Sequence, residues 1–126
     1  MPETTLPRDI QSIAVASDAL GDYLHQRGWS DQDVDRAVLS VSEAVSNSIE
    51  HGSGEVVLRY ALEAEGLIIR VTDNGMGPSR QRLEDAALPQ DPFAEDGRGL
   101  FILTALADVV TVLEDGSLTV TIRSTR

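Results

Sequence analysis

An α+β two-layer sandwich, with a mixed sheet covered on one face by helices, is the fold this 126-residue sequence predicts. Three observations predict it. Two stretches, residues 10–26 and 30–51, repeat apolar residues at helical spacing. Two pairs of runs rich in Val, Ile and Leu, residues 55–63 with 67–73 and 109–113 with 118–122, read as strand hairpins. One further helical run, residues 99–107, stands between those pairs. Helices and strands ordered in this way bury their apolar sides by laying the helices on one sheet face.

Residues 1–9 are polar and contain Pro2 and Pro7, so they read as a mobile or edge segment ahead of a single domain over 10–126. In the first helix Ile10, Ile13, Ala14, Leu20 and Leu24 fall near a 3.6-residue period, and Gly28 ends it. Trp29 follows at the helix connection. It reads as a plug over the helix pair, with a partner contact as the alternative. Ser30 is a candidate N-cap, and Asp31 and Asp33 suit the positive end of the second helix dipole. Val34, Val38, Val41, Val45 and Ile49 form one apolar stripe on this helix. Glu43, Asn47 and Glu50 share a different face, because residues four and seven apart align.

Gly52-Ser53-Gly54 stops the second helix, and Ala64-Glu65-Gly66 turns the first hairpin. Residues 78–96 are polar, with Pro89, Pro92 and several acids, and read as a loop with a short helix at Leu83 to Leu88. The last helix is packed by Leu100, Leu103 and Leu106, and Asp115-Gly116 turns the second hairpin. No repeat or low-complexity segment is present.

Bulk properties narrow the function. Hydrophobic residues make up 41% and charged residues 25%, an ordinary globular balance. The absence of cysteine removes disulfides and thiolate metal sites, and His25 and His51 are too few for a histidine-rich one. A formal net charge of −11 repels nucleic-acid phosphates and favours a basic protein partner. No run reaches the roughly 18–20 apolar residues of a membrane span. The start, MPETTLPRD, lacks the layout of a signal peptide, so a cytoplasmic location is expected.

Three motifs carry chemistry. Glu43 and Asn47 point the same way from one helix, which equals a solvated helix face unless a ligand lies before them. Asn offers a neutral oxygen to Mg²⁺, and Glu can accept a proton from an attacking hydroxyl. Asp73-Asn74-Gly75-Met76-Gly77 follows a strand. It is either a plain turn or a carboxylate that accepts from an exocyclic amine, with Gly75 and Gly77 letting the backbone approach a base and sugar. Gly97-Arg98-Gly99-Leu100 opens a helix, as a hinge or as backbone donors for phosphate oxygens. It is not the dinucleotide fingerprint, because the third glycine and the preceding strand are missing.

The order of these motifs resembles the GHKL (Bergerat-type, histidine-kinase-like) ATPases. SEAVSNSIEHG and GRGLFILTALAD are most similar to the stand-alone anti-sigma-factor serine kinases (RsbW-like). The resemblance spans about residues 10–124. It implies ATP and Mg²⁺ as cofactors. Glu43 matches the general base and Asn47 the Mg²⁺ ligand. Asp73 matches the adenine-reading carboxylate, with Gly75 and Gly77 beside it. Gly97, Arg98, Gly99 and Leu100 match the phosphate-side box. His51 matches a His-Gly that follows the Asn, with a helix-end hydrogen bond favoured over a chemical role. Ser117 or Thr119 matches a hydroxyl near the base, with the register open.

By the same resemblance the chain phosphorylates a serine on an anti-anti-sigma (STAS-type) protein, sequesters a sigma factor and forms a homodimer. One departure favours an alternative, an ATP-binding partner-switching regulator with weak or no transfer. Related kinases place a basic residue before the second glycine box, and Ala94-Glu95-Asp96 here is acidic. A cation at a transferring phosphate is worth ~10³–10⁵ in rate, and Arg98, or Arg80 and Arg82 from the lid, are the candidate substitutes. The intervening lid is short and acidic as well. A sensor histidine-kinase fragment is the least favoured reading, because no phosphoacceptor-histidine hairpin precedes the site.

Overall fold

A computed structural model describes residues 3–75 and 98–124. Its elements are β1 (Glu3–Leu6), α1 (Gln11–His25), α2 (Asp31–His51), β2 (Val56–Glu63), β3 (Gly66–Thr72), α3 (Arg98–Leu106), β4 (Val109–Val112) and β5 (Leu118–Ile122). The short helix expected at Leu83 to Leu88 lies outside the described residues.

Period-two alternation builds the sheet. Val56, Leu58 and Tyr60 of β2, Leu67, Ile69 and Val71 of β3, and Leu118, Val120 and Ile122 of β5 are buried. The residues between them face away from the helices and are partly exposed. A side chain of this size contributes roughly 1.5–3 kcal/mol when fully buried. The nine together are therefore the main source of attachment between sheet and helices.

The strand order is β1-β2-β3-β5-β4. Every strand pair among the described residues is antiparallel, which corrects the expectation of a mixed sheet. β3 and β4 do run in the same sense, as a crossover through a helix requires. β5 inserts between them and pairs with both, so no parallel pair is hydrogen-bonded. At the other edge Glu3–Leu6, expected as a mobile or edge segment, pairs along β2. The Glu3 carboxylate accepts from Arg59 Nε at 2.7 Å.

α2 is the central helix and touches α1, α3 and three strands. Its start is set locally: the Ser30 hydroxyl accepts from the Asp33 N–H at 3.2 Å, with Asp31 and Asp33 in the first turn. Val34, Val41 and Val45 are buried as the stripe predicts. Ala37, Ser40, Ala44 and Ser48 are buried too, so the packed surface is wider than the apolar stripe and lined by small residues. Trp29 is partly buried against the core. No described helix is long and apolar enough to cross a membrane.

Candidate functional site

The C-terminal end of α2 meets the end of β3, and the candidate site forms where they touch. Three pieces line a recess there. Ala44, Asn47, Ser48 and His51 come from α2 and Gly52 from its cap, Val71 and Asp73 from β3 and its exit, and Gly116 and Leu118 from the second hairpin. In this form the recess is narrow, with about 10 Å³ for the centre of a water-sized sphere, room for about one water.

Asp73 is its most constrained side chain. Its Oδ2 accepts from the Ser48 hydroxyl, and its Oδ1 accepts from the Gly75 N–H at 2.6 Å. The next residue is tied as well: the Asn74 N–H donates to the Ser53 carbonyl at 2.8 Å. Glycine is needed on both sides of this contact. A Cβ at Gly52 would overlap the Asp73 carboxylate, and one at Gly75 would come 2.9 Å from Asp73 Oδ1. The close approach of helix end and strand exit therefore depends on two missing side chains.

The end of α2 is itself held from a distance. Helix C-termini leave carbonyls without partners. The Arg8 guanidinium donates to the carbonyls of Ser48, of Ile49 at 2.9 Å and of Gly54 at 3.0 Å. Its sequence separation of 40 and more hides this role from any local pattern. The signal that was available is a lone arginine in an otherwise polar, proline-bearing segment.

The structure brings Asn47, Asp73 and Gly75 together. Glu43 lies one turn earlier on the same helix face, partly exposed, and does not border the recess. His51 borders the recess, with Nε2 3.6 Å from Glu50 Oε2. Gly77 and Gly97 lie outside the described residues, as do Arg80, Arg82 and Ala94-Glu95-Asp96. Arg98, Gly99 and Leu100 form the first turn of α3.

Of the two hydroxyl candidates neither lines the recess, because Leu118 between them takes that place. The Ser117 hydroxyl instead bonds Thr72 Oγ1 at 2.8 Å, and the Thr119 Oγ1 is buried with no hydrogen-bond partner among the described residues. The residues that sequence reasoning missed are Ser48, Gly52 and Arg8. Ser48 and Gly52 stood inside the quoted motif but have no chemistry of their own until Asp73 is beside them.

The recess sets an acceptor carboxylate beside a carboxamide, whose oxygen suits a hard cation. Among the described residues no cluster of three or more His, Cys, Asp or Glu could hold a metal ion by itself. A cation here would therefore take most of its ligands from water or from a second ligand.

The chain is similar to known proteins. The family model described as "Histidine kinase-like ATPase domain" matches residues 6–124. Proteins named serine-protein kinase RsbW, from Bacillus cereus and Bacillus thuringiensis, are each 24% identical over 128 residues. Those alignments cover 94% of this chain and 80% of the relative. A crystal structure of the RsbU and RsbW domains of a Mycobacterium tuberculosis protein superposes with a TM-score of 0.70 at 23% identity. That match covers all of this chain and 33% of the other, so it speaks for the fold alone.

Proposed function

The chain belongs to the histidine kinase-like ATPase domain family, and from that premise we propose that it is an ATP-dependent protein-serine kinase of the anti-sigma-factor type. The observation that carries this reading is the meeting of Asn47 and Asp73 at one recess from two distant stretches of chain, with the Gly75 N–H bonded to Asp73. The names of the Bacillus relatives support a serine acceptor. An anti-anti-sigma protein of the STAS type is the proposed substrate and a sigma factor the proposed captive. The acidic surface suits a basic partner, and a homodimer is the proposed assembly.

The residues present fit a magnesium–adenylate ligand. Gly52 and Gly75 let the Asp73 carboxylate stand against the helix end, where a Cβ would meet it, and Asn47 supplies a neutral oxygen at the same recess. A base enters only as the side chains at the mouth move outward, because the present room is about that of one water. Asn47 would hold the Mg²⁺, which offsets charge on the phosphates when bound. Asp73 accepts the hydrogen bond of the adenine amine. Glu43, one turn from Asn47 on the same face, orients the serine hydroxyl and takes its proton.

The test is transfer of labelled phosphate from ATP to a STAS-type antagonist by wild type and Glu43→Ala, alongside melting with and without Mg·ATP. The expected result is a loss of transfer of about 10²–10⁴-fold with the stabilisation by Mg·ATP retained. Equal transfer by the two proteins contradicts the role of Glu43. Stabilisation of wild type with no transfer supports the second reading, a non-transferring regulator, which the acidic run Ala94-Glu95-Asp96 favours.

A further inference from the structure

We propose that Ser48 is a specificity-determining residue: its hydroxyl sets the Asp73 carboxylate so that the site takes a 6-aminopurine nucleotide in preference to a 6-oxopurine one. The inference rests on the reading of the recess as an adenine site and names what makes it selective.

Three serines near the middle and end of α2 show the contrast. Ser40 and Ser42 return their hydroxyls to the carbonyls of Arg36 and Val38, each at 2.8 Å. That is the usual local bond of a helical serine. Ser48 instead donates out of its helix to Asp73 Oδ2. Ser48 is 5% exposed and borders the recess with Asp73.

The two oxygens of Asp73 are thus tied by donors from different elements, Ser48 on one side and the Gly75 N–H on the other. Rotation of the carboxylate breaks one bond or both. Its flanks are filled by Gly52 and Gly75 at distances that admit no side chain. A carboxylate has acceptor sites only, about four in number, and two are taken here by protein donors. The remaining sites accept from an amino group. A carbonyl oxygen in the same place sets acceptor against acceptor, which costs a desolvated group its partner.

The test measures equilibrium binding of ATP, GTP and purine riboside triphosphate, the analogue with hydrogen in place of the 6-amino group, all with Mg²⁺. The proteins are wild type, Ser48→Ala, Ser48→Cys and Asp73→Asn, each first checked by its melting curve. In Ser48→Ala, ATP is expected to bind about 5–10-fold more weakly, while the 6-hydrogen analogue changes by less than about two-fold. The preference for ATP over GTP narrows accordingly. Ser48→Cys keeps the size of the side chain with a weak donor, moves in the same direction, and serves if the alanine variant does not fold. Equal weakening of ATP and the analogue overturns the proposal, because a merely structural role acts on both. If Asp73→Asn loses the preference for ATP over the analogue and the Ser48 variants keep it, the role of Ser48 falls and the adenine site stands. If neither position alters that preference, the adenine reading itself falls.

Discussion

Asp115, in the turn between β4 and β5, shows how much a single exposed carboxylate can be tied down. Its Oδ1 accepts from the Ser117 N–H at 2.9 Å and its Oδ2 from Arg70 Nη2 at 2.6 Å. The bonds from Ser117, and after them the Arg70 guanidinium, hold its pKa below the ordinary value of 3.8. A carboxylate with a lowered pKa favours the folded state above its unfolded pKa, and that contribution is lost as pH falls through the lowered value. Asp115→Asn is therefore expected to melt below wild type at neutral pH, with the gap closing in acid beneath 3.8. Melting curves across that range check it, and a gap independent of pH contradicts it. Asn47 and Asp73, which the structure brings to one recess, could be singled out in the sequence because a carboxamide and a carboxylate have chemical uses of their own. Ser48 and Gly52 could not. A serine and a glycine near a helix end read as packing and stop signals, and the carboxylate that gives them meaning lies 25 residues beyond Ser48.

At the scale of elements, the end of α2 depends on a residue from the other end of the chain. Of the three carbonyls that take Arg8, that of Ser48 also accepts the Gly52 N–H at 2.8 Å, so Arg8 matters most to those of Ile49 and Gly54. Arg8→Ala is expected to cost about 1.5–3 kcal/mol, the range for a hydrogen bond to a charged group. It should also weaken ATP, because the freed turn carries Asn47 and Ser48. Arg8→Lys recovers only part, since one ammonium cannot reproduce a planar fork. A denaturant midpoint unchanged in Arg8→Ala contradicts this account. The α2 start was plain in the sequence, because Ser30 with Asp31 and Asp33 is a local signal and the Ser30 hydroxyl does accept from Asp33. The first hairpin was equally plain: Val56–Glu63 and Gly66–Thr72 fall where the Val, Ile and Leu runs place them. β1 left two readings open, because an edge strand draws its pairing from β2 and its own composition is polar.

The whole molecule is closed at the end opposite the recess by a second clasp. Asp33 is fully buried, and Arg36 Nη1 lies 3.5 Å from its Oδ1. The same guanidinium donates to the Leu106 carbonyl at 2.9 Å and the Arg123 carbonyl at 3.1 Å, and lies 3.4 Å from Asp108. It thereby joins α2, the end of α3 and the residue that follows β5. Removing Arg36 takes a cation from beside a buried carboxylate, which keeps the Ser124 hydroxyl as a donor to its Oδ2 at 3.3 Å. Arg36→Ala is expected to lower stability by about 3 kcal/mol, the low end for such a change, because a quarter of the Arg36 side chain stays in water. Urea unfolding measures it, and a loss within about 0.5 kcal/mol contradicts it. Two layers, with helices on one face, followed from the order of elements. The placing of β5 between β3 and β4 did not, because strand order is a long-range choice that local periodicity leaves open. The central claim is that distant stretches meet around one adenine nucleotide. Photolabelling with 8-azido-ATP and Mg²⁺, mapped by mass spectrometry, tests it most directly. The account predicts label within residues 44–52, 71–75 or 116–118, removed by excess ATP. Label confined to the far groove of Trp29, Leu62 and Glu65, or label that excess ATP does not displace, contradicts it.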